Sequence, residues 1–89
     1  MVTRLVTGTV FQPYYDWDGR KYIEILSNES ELIRAKIPFR YGRVMCKVAG
    51  LRPIQDLETG TRITVLLEKR AWDGRDYWIV ISVSEQENQ

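Results

Sequence analysis

Apolar and polar residues alternate along several stretches of this 89-residue chain, and alternation with a period of two is typical of half-buried β-strands. Four such stretches are LVTGTVFQPYY, KYIEILS, TRITVLLEKR and DYWIVISV. All four are rich in Val, Ile, Thr and aromatic residues, which favour strands. A fifth stretch, ELIRAKIP, follows the turn SNES and predicts the third strand in chain order.

The same alternation predicts which side chains face inward. In the third strand Arg34 and Lys36 are expected to point outward, and in the last strand Trp78 and Ser82. The predicted inward positions of the second, third, fourth and last strands are Ile23, Ile25, Ile33, Ala35, Ile37, Ile63, Val65, Leu67, Tyr77, Ile79, Ile81 and Val83. Gly8 lies within the long first strand and indicates a bulge or bend there.

The segment of residues 41–51 fits two structures. The spacing of Tyr41, Val44 and Val48 fits a helix, and the spacing of Val44, Cys46 and Val48 fits a strand equally well. The sequence therefore predicts at most one short helix between the third and fourth main strands, or one additional strand in its place.

One short sequence occurs twice: WDGR spans Trp17 to Arg20 and again Trp72 to Arg75. Each copy is flanked by predicted strands, and Asp-Gly between two such strands is a strong signal for a tight hairpin turn. Glycine adopts the positive φ that these turns require. Both copies are therefore predicted to be hairpin tips. A tyrosine follows two positions after each arginine, at Tyr22 and Tyr77.

The composition argues against several classes of active site. The chain has no histidine and one cysteine, Cys46, so zinc sites, transition-metal sites and triads with a histidine base are not expected. Neither GxxxxGK(S/T) nor GxGxxG occurs. Asp16 and Asp18 are interpreted as turn residues rather than a catalytic or calcium-binding pair. We predict a protein that is not an enzyme and needs no cofactor or metal.

The chain also shows no sign of export or membrane insertion. No uncharged run approaches the length needed to cross a bilayer, and the N-terminus lacks the apolar region of a signal peptide. A single cysteine excludes an internal disulfide and fits a reducing compartment. The expected location is the cytoplasm, without a membrane partner.

Charge is unevenly distributed although the net charge is only +1. Residues 34–52 contain six basic residues and no acidic one. Nine of the thirteen basic residues in the chain are arginines, and arginine both stacks on flat rings and forks onto phosphates. A basic run of this kind fits contact with nucleic acid, and it fits a solvated face equally well.

The order of these elements resembles the OB-fold, a five-stranded Greek-key barrel with a connector between its third and fourth strands. The residues that carry the resemblance are the long first strand bent at Gly8, the first WDGR turn, and LETGTRITVLLEK leading to the second WDGR turn. The barrel is expected to span residues 1–84, and residues 85–89 to form a polar, disordered tail. A sixth strand would favour an SH3-like or other small barrel instead.

The resemblance implies a binding site, because in OB-folds the loops joining strands 1–2 and 4–5 flank a groove for oligonucleotides or oligosaccharides. It implies that Trp17 and Arg20 lie on one wall of the groove, and Trp72 and Arg75 on the other. The groove floor would carry Arg34, Lys36, Phe39 and Arg40. Rings that stack on bases and cations that track phosphates are what a single-stranded DNA or RNA site requires.

Two other interpretations remain open. The tryptophans could stabilise their own turns by packing on Tyr22 or Tyr77, and each arginine could fold over the tryptophan of its own hairpin. Trp, Tyr and Arg are also enriched at the centres of protein interfaces. The domain could therefore be a protein-interaction module, such as an adaptor, an inhibitor or an assembly factor. A module of this kind encoded by a virus would also fit the sequence. The acidic residues of both turns oppose phosphate binding and agree with this alternative. The sequence leaves the oligomeric state open.

Overall fold

Seven β-strands make up the regular structure of this computed structural model, which describes residues 2–17, 19–38, 45–47, 51–53 and 57–85. The strands are β1 Thr3–Trp17, β2 Arg20–Ser27, β3 Leu32–Lys36, β4 Met45–Lys47, β5 Leu51–Pro53, β6 Arg62–Trp72 and β7 Arg75–Glu85. Over the described ranges, no helix is long and apolar enough to cross a membrane.

The five long strands form a closed barrel. Antiparallel pairing joins β3, β2, β1, β6 and β7 in that order, and a parallel pairing of β3 with β7 closes the ring. The short strand β4 pairs in parallel with β7 and antiparallel with β5, so a small two-stranded extension is attached to the barrel. This architecture confirms the predicted all-β, OB-like barrel.

The ambiguous segment between the third and fourth main strands is extended where the structure describes it. Residues 45–47 are β4 and residues 51–53 are β5. The strand interpretation therefore holds around Cys46, and the optional helix is not found in these residues. Residues 41–44 and 48–50 lie outside the described part of the chain.

The long first strand belongs to both halves of the barrel. Residues 3–9 pair with β6, and residues 8–17 pair with β2. Gly8 lies where the two pairings overlap, opposite Ser27 on one side and Ile63 on the other. A Cβ atom at Gly8 would lie 2.1 Å from the backbone oxygen of Leu26, so only glycine permits this approach. The bulges themselves come later, between Val10 and residue 15.

The barrel interior is filled by aliphatic side chains from the inward faces of five strands. Among the described residues, thirteen buried ones form one cluster, and Ile23, Ile25, Ala35, Ile63, Val65, Leu67 and Val83 are 0% exposed. The inward positions predicted for the second, third and fourth main strands are all buried. Alternation was sufficient in these strands because the extra residues of their ladders lie on the partner strands β1 and β7.

The prediction for the last strand was right at Ile79 and Val83, which are buried, and wrong at Tyr77, Trp78 and Ile81. The register of β6 with β7 shifts between Leu66 and Leu67, so that Leu66 pairs with Ser82 but Leu67 pairs with Val80. A bulge adds one residue to a strand and reverses its alternation beyond that point. Ile81 is therefore 43% exposed, and Trp78, predicted to point outward, packs against the core.

The end of the barrel also differs by one residue from the predicted boundary. Glu85, assigned to the polar tail from the sequence, is the last residue of β7. Residues 86–89 lie outside the described part of the chain, and so the disordered tail stays a prediction.

Candidate nucleic-acid interface

Both WDGR sequences form two-residue hairpin turns. Trp17 pairs with Arg20 across the first turn, and Trp72 pairs with Arg75 across the second. Gly19 and Gly74 have φ of 73° and 74°, and Asp73 has φ of 53°. In the second turn the two successive residues Asp73 and Gly74 have positive φ and form a type I′ turn, which matches the twist of the strands it joins. The predicted hairpin tips are confirmed.

The two hairpins converge. The guanidinium of Arg20, from the first copy of WDGR, lies over the ring of Trp72, from the second copy, at 5.4 Å from the ring centroid. Arg20 therefore contacts the tryptophan of the other hairpin, so the interpretation in which each arginine only folds over the tryptophan of its own turn does not hold for Arg20. The Trp17 side chain lies outside the described atoms, although its backbone is part of β1.

A cavity of about 600 Å³ lies between the hairpins and the face of β2 and β3. We call it the groove, and it is lined by Arg20, Tyr22, Arg34, Lys36, Trp72, Asp73, Arg75, Asp76 and Tyr77. Its volume is within the range of ligand sites in proteins.

Each of the three aromatic rings in the groove is paired with a cation from another strand. In addition to Arg20 over Trp72, Arg34 of β3 lies 5.3 Å from the centroid of Tyr22 in β2. Lys36 of β3 lies 5.7 Å from the centroid of Tyr77 in β7. These distances are within the range of cation–π attraction. Every ring of the groove therefore has a cation beside it.

The strand registers explain how these side chains reach one surface. Tyr22 lies directly opposite Lys36 across β2 and β3, and the period of two puts Arg34 on the same face as Lys36. The bulge near Ile81 reverses the alternation of β7, which brings Tyr77 out of the predicted interior and into the groove. The local irregularity thus supplies the third ring.

The groove is cationic, although its walls contain acids. Four of its lining side chains are basic, and two are aspartates. Asp76 is paired with Lys69 at 3.5 Å, and Asp16, beside the first turn, is paired with Lys21. Partial neutralisation by lysine weakens the objection that these turns repel phosphates. Asp73 remains on the groove wall.

Tyr15 of β1 supports the ring of Tyr22 from the neighbouring strand. Their centroids are 5.8 Å apart with a tilt of 31°, an arrangement that aromatic pairs favour. Burial raises the pKa of the Tyr15 phenol, and the charge of Glu24 adds to this, whereas Arg34 acts in the opposite direction. Tyr15 therefore stays a neutral hydrogen-bonding group near physiological pH.

Five of the eight residues assigned to the site from the sequence line this groove: Arg20, Arg34, Lys36, Trp72 and Arg75. The Trp17 side chain, Phe39 and Arg40 lie outside the described atoms. Tyr22 and Tyr77 were not assigned to the site. Their signal was present in the extended repeat WDGR-x-Y, because a tyrosine two positions after an arginine shares its strand face. A binding role for these residues remains a prediction.

Comparison with known proteins supports the fold. The chain is similar to the N-terminal domain of the PriB protein from Thermoanaerobacter tencongensis, whose structure is dimeric. The match covers 97% of this chain and 97% of that chain, with 18% sequence identity and a TM-score of 0.53. No protein-family model matches the sequence, and no curated protein matches it. The structural likeness agrees with the OB-like barrel and concerns the fold alone.

Proposed function

We propose that this domain is a non-catalytic binding module for single-stranded nucleic acid, DNA or RNA, that acts inside the cell. The observation that carries the proposal is the convergence of two hairpins on one groove with three aromatic rings and four cations. The groove occupies the position between the two hairpin loops where OB-folds bind oligonucleotides.

The chemistry of the groove suits a flexible polyanion. Stacking of a base on an aromatic side chain contributes about 1–3 kcal/mol and is tolerant of sequence. Arginine and lysine attract the phosphates between stacked bases. A duplex presents its phosphates outside and keeps its bases stacked inside, so rings that need exposed base faces favour a single strand. We expect weak preference among sequences.

Titration of a labelled oligonucleotide tests the proposal. A single strand of about 15 nucleotides is near the upper end of the site size of one OB-fold. Trp72→Ala should weaken its binding by about 1–3 kcal/mol, because one stacking surface is lost. Phe11→Ala is the matched control, since Phe11 is 52% exposed but does not line the groove. It should leave affinity unchanged.

Two results would contradict the proposal. One is the failure of both DNA and RNA single strands to bind below about 100 μM at low salt, which is the weak end of non-specific association. The other is equal loss of affinity in Trp72→Ala and Phe11→Ala when both variants melt like wild type.

A second candidate function, protein interaction, is favoured by a different surface. Uncharged side chains from three neighbouring strands form what we call the outer face: Leu5, Thr7, Thr64, Leu66, Ile81, Ser82 and Ser84. Leu5 is 67% exposed and pairs with Leu66. Depletion of charge is typical of the centre of protein interfaces. The partner we propose is a second copy of this chain, because the structurally similar PriB domain is dimeric.

Sedimentation tests this second candidate. The wild-type chain should sediment as a dimer, and Leu5→Asp should shift it to the monomer, because a charge would be desolvated in the interface. Leu32→Asp is the control, since Leu32 is 49% exposed but lies in β3, away from the outer face. A monomeric wild-type chain, or equal dissociation by both substitutions, would exclude this interface.

A further inference from the structure

Each of the three groove rings has a cation of the same protein within 5.7 Å of its centroid. Arg20 and Trp72 both line the groove, and so do the pairs Arg34–Tyr22 and Lys36–Tyr77. A base that stacks on the ring face over which the cation lies must displace that cation. Cation and base therefore compete for the same ring surface.

Phosphate changes the outcome of this competition. A cation over an exposed ring is held weakly, whereas arginine and phosphate form charge-assisted, often bidentate hydrogen bonds. A ligand with phosphates next to its bases can draw the cation away and place the base on the uncovered ring. A neutral ligand must displace the cation without this compensation.

We infer that the ring–cation pairs act as a mask that phosphate removes, so that the groove accepts phosphate-bearing bases and discriminates against neutral stacking ligands. The excluded class includes nucleosides, neutral oligosaccharides and uncharged oligonucleotide analogues. The inference rests on the proposed function and specifies its ligand class.

Arg20 is the residue at which the mask is best tested. Its side chain is exposed at the tip of one hairpin and reaches the ring of the other hairpin. Arg34 is less suitable because it also interacts with Tyr15. Arg20→Met keeps much of the side-chain length and removes the charge. Arg62→Met is the matched control, since Arg62 is exposed at the start of β6 and does not line the groove.

The experiment compares two oligonucleotides of one sequence, one with a phosphodiester backbone and one with an uncharged methylphosphonate backbone. Arg20→Met should weaken binding of the phosphodiester strand, because a phosphate contact is lost. It should strengthen binding of the methylphosphonate strand by about two- to fivefold, the factor that corresponds to an exposed cation–π pair. Arg62→Met should not show these opposite effects on the affinities of the two oligonucleotides.

Opposite effects of Arg20→Met on the two ligands support the mask. Weaker binding of both ligands, or no change in either, overturns it, because Arg20 would then be an ordinary ligand contact or no contact at all. The variants must have the same melting temperature as wild type. Arg20→Lys keeps the charge, so its affinity for the phosphodiester strand should lie between the affinities of wild type and Arg20→Met.

A measurement without any ligand separates this inference from the proposed function. Side-chain protons of Arg20 that lie over the Trp72 indole should be shifted upfield in the NMR spectrum, and Trp72→Ala should abolish that shift. Absence of the shift overturns the mask even if nucleic acid binds. If the shift is present but no phosphodiester strand binds, the proposed function fails and the ligand class assigned here fails with it.

Discussion

Two glycines of this chain resist substitution for different physical reasons. Gly74 has φ of 74°, and a Cβ atom there would meet nothing within 4 Å. Gly8 has no such φ, but its Cβ would collide with the backbone of Leu26 at 2.1 Å. Gly74 is thus required by conformation alone, and Gly8 by space alone.

These reasons predict different costs in the free energy of unfolding. Gly74→Ala should destabilise the fold by about 1–2 kcal/mol, because a side chain is forced into the left-handed region. Gly74→Asn should cost less, since asparagine tolerates that region. Gly8→Ala should cost about 1–3 kcal/mol or prevent folding, because the backbone of two strands must separate.

Chemical denaturation of the three variants measures these differences. If Gly74→Ala and Gly74→Asn unfolded with the same free energy as wild type, the assignment of the second turn would be wrong. If Gly8→Ala were neutral, the close approach of β1 and β2 at Leu26 would be wrong.

At the scale of elements, an ion pair links β1 to the turn before β3. Arg4 donates two hydrogen bonds to the carboxylate of Glu31, at 3.0 and 3.1 Å. These bonds hold the pKa of Glu31 below its ordinary value. A carboxyl group whose pKa is lower in the folded state stabilises the fold above its unfolded pKa of about 4.3. That stabilisation is lost as pH falls through the lower, folded pKa.

Glu31→Gln should therefore destabilise the protein slightly at pH 7 and not at strongly acid pH. The effect is small because both side chains are exposed to solvent. Unfolding free energies measured from pH 7 to about pH 2, below the pKa of an ordinary Glu, check this, with Glu58→Gln as the control carboxylate. A difference between wild type and Glu31→Gln that grew toward acid pH would contradict the pairing with Arg4.

Sequence patterns predicted where the strands lie better than they predicted which side chains of the last strand face inward. Alternation identified the inward faces of β2, β3 and β6, which carry no inserted residue. It failed at Ile81 in β7 because an inserted residue leaves no compositional mark among Ile79, Val80 and Ile81, which are all apolar. The consequence reached the site, since Tyr77 was assigned to the interior and instead lines the groove.

Sequence patterns could not predict the contact between the two hairpins, and the reason is different. WDGR could be recognised twice, and each copy could be assigned to a turn from local chemistry. The pairing of Arg20 with Trp72 depends on closure of the whole barrel through β3 and β7. Such long-range geometry depends on how the strands twist and how the barrel closes. The residues of the two WDGR copies do not indicate it.

At the scale of the whole molecule, a net charge of +1 coexists with a local excess of cations. Four basic side chains line the groove. If all four neutralise phosphates of a single strand, the logarithm of the affinity should fall against the logarithm of salt concentration with a slope of about −3, from about −0.7 per contact. Lys36→Ala should reduce this slope by about one contact.

Trp72→Ala should lower the affinity at every salt concentration and leave the slope unchanged, because stacking releases no counterions. Fluorescence titrations over a series of salt concentrations check both variants. A slope near zero for wild type, or a change of slope in Trp72→Ala equal to that in Lys36→Ala, would contradict the claim that rings stack on bases while cations neutralise phosphates.

The most direct test of the account is to locate a bound single strand on the surface of the protein. NMR spectra recorded during addition of a short oligonucleotide should show the largest shifts at Arg20, Tyr22, Lys36, Trp72 and Tyr77, which come from four strands and all line the groove. Signals from the outer face, such as Leu5 and Ile81, should stay in place. Shifts concentrated on the outer face, or confined to one hairpin, would contradict the claim that the two WDGR turns form one nucleic-acid site.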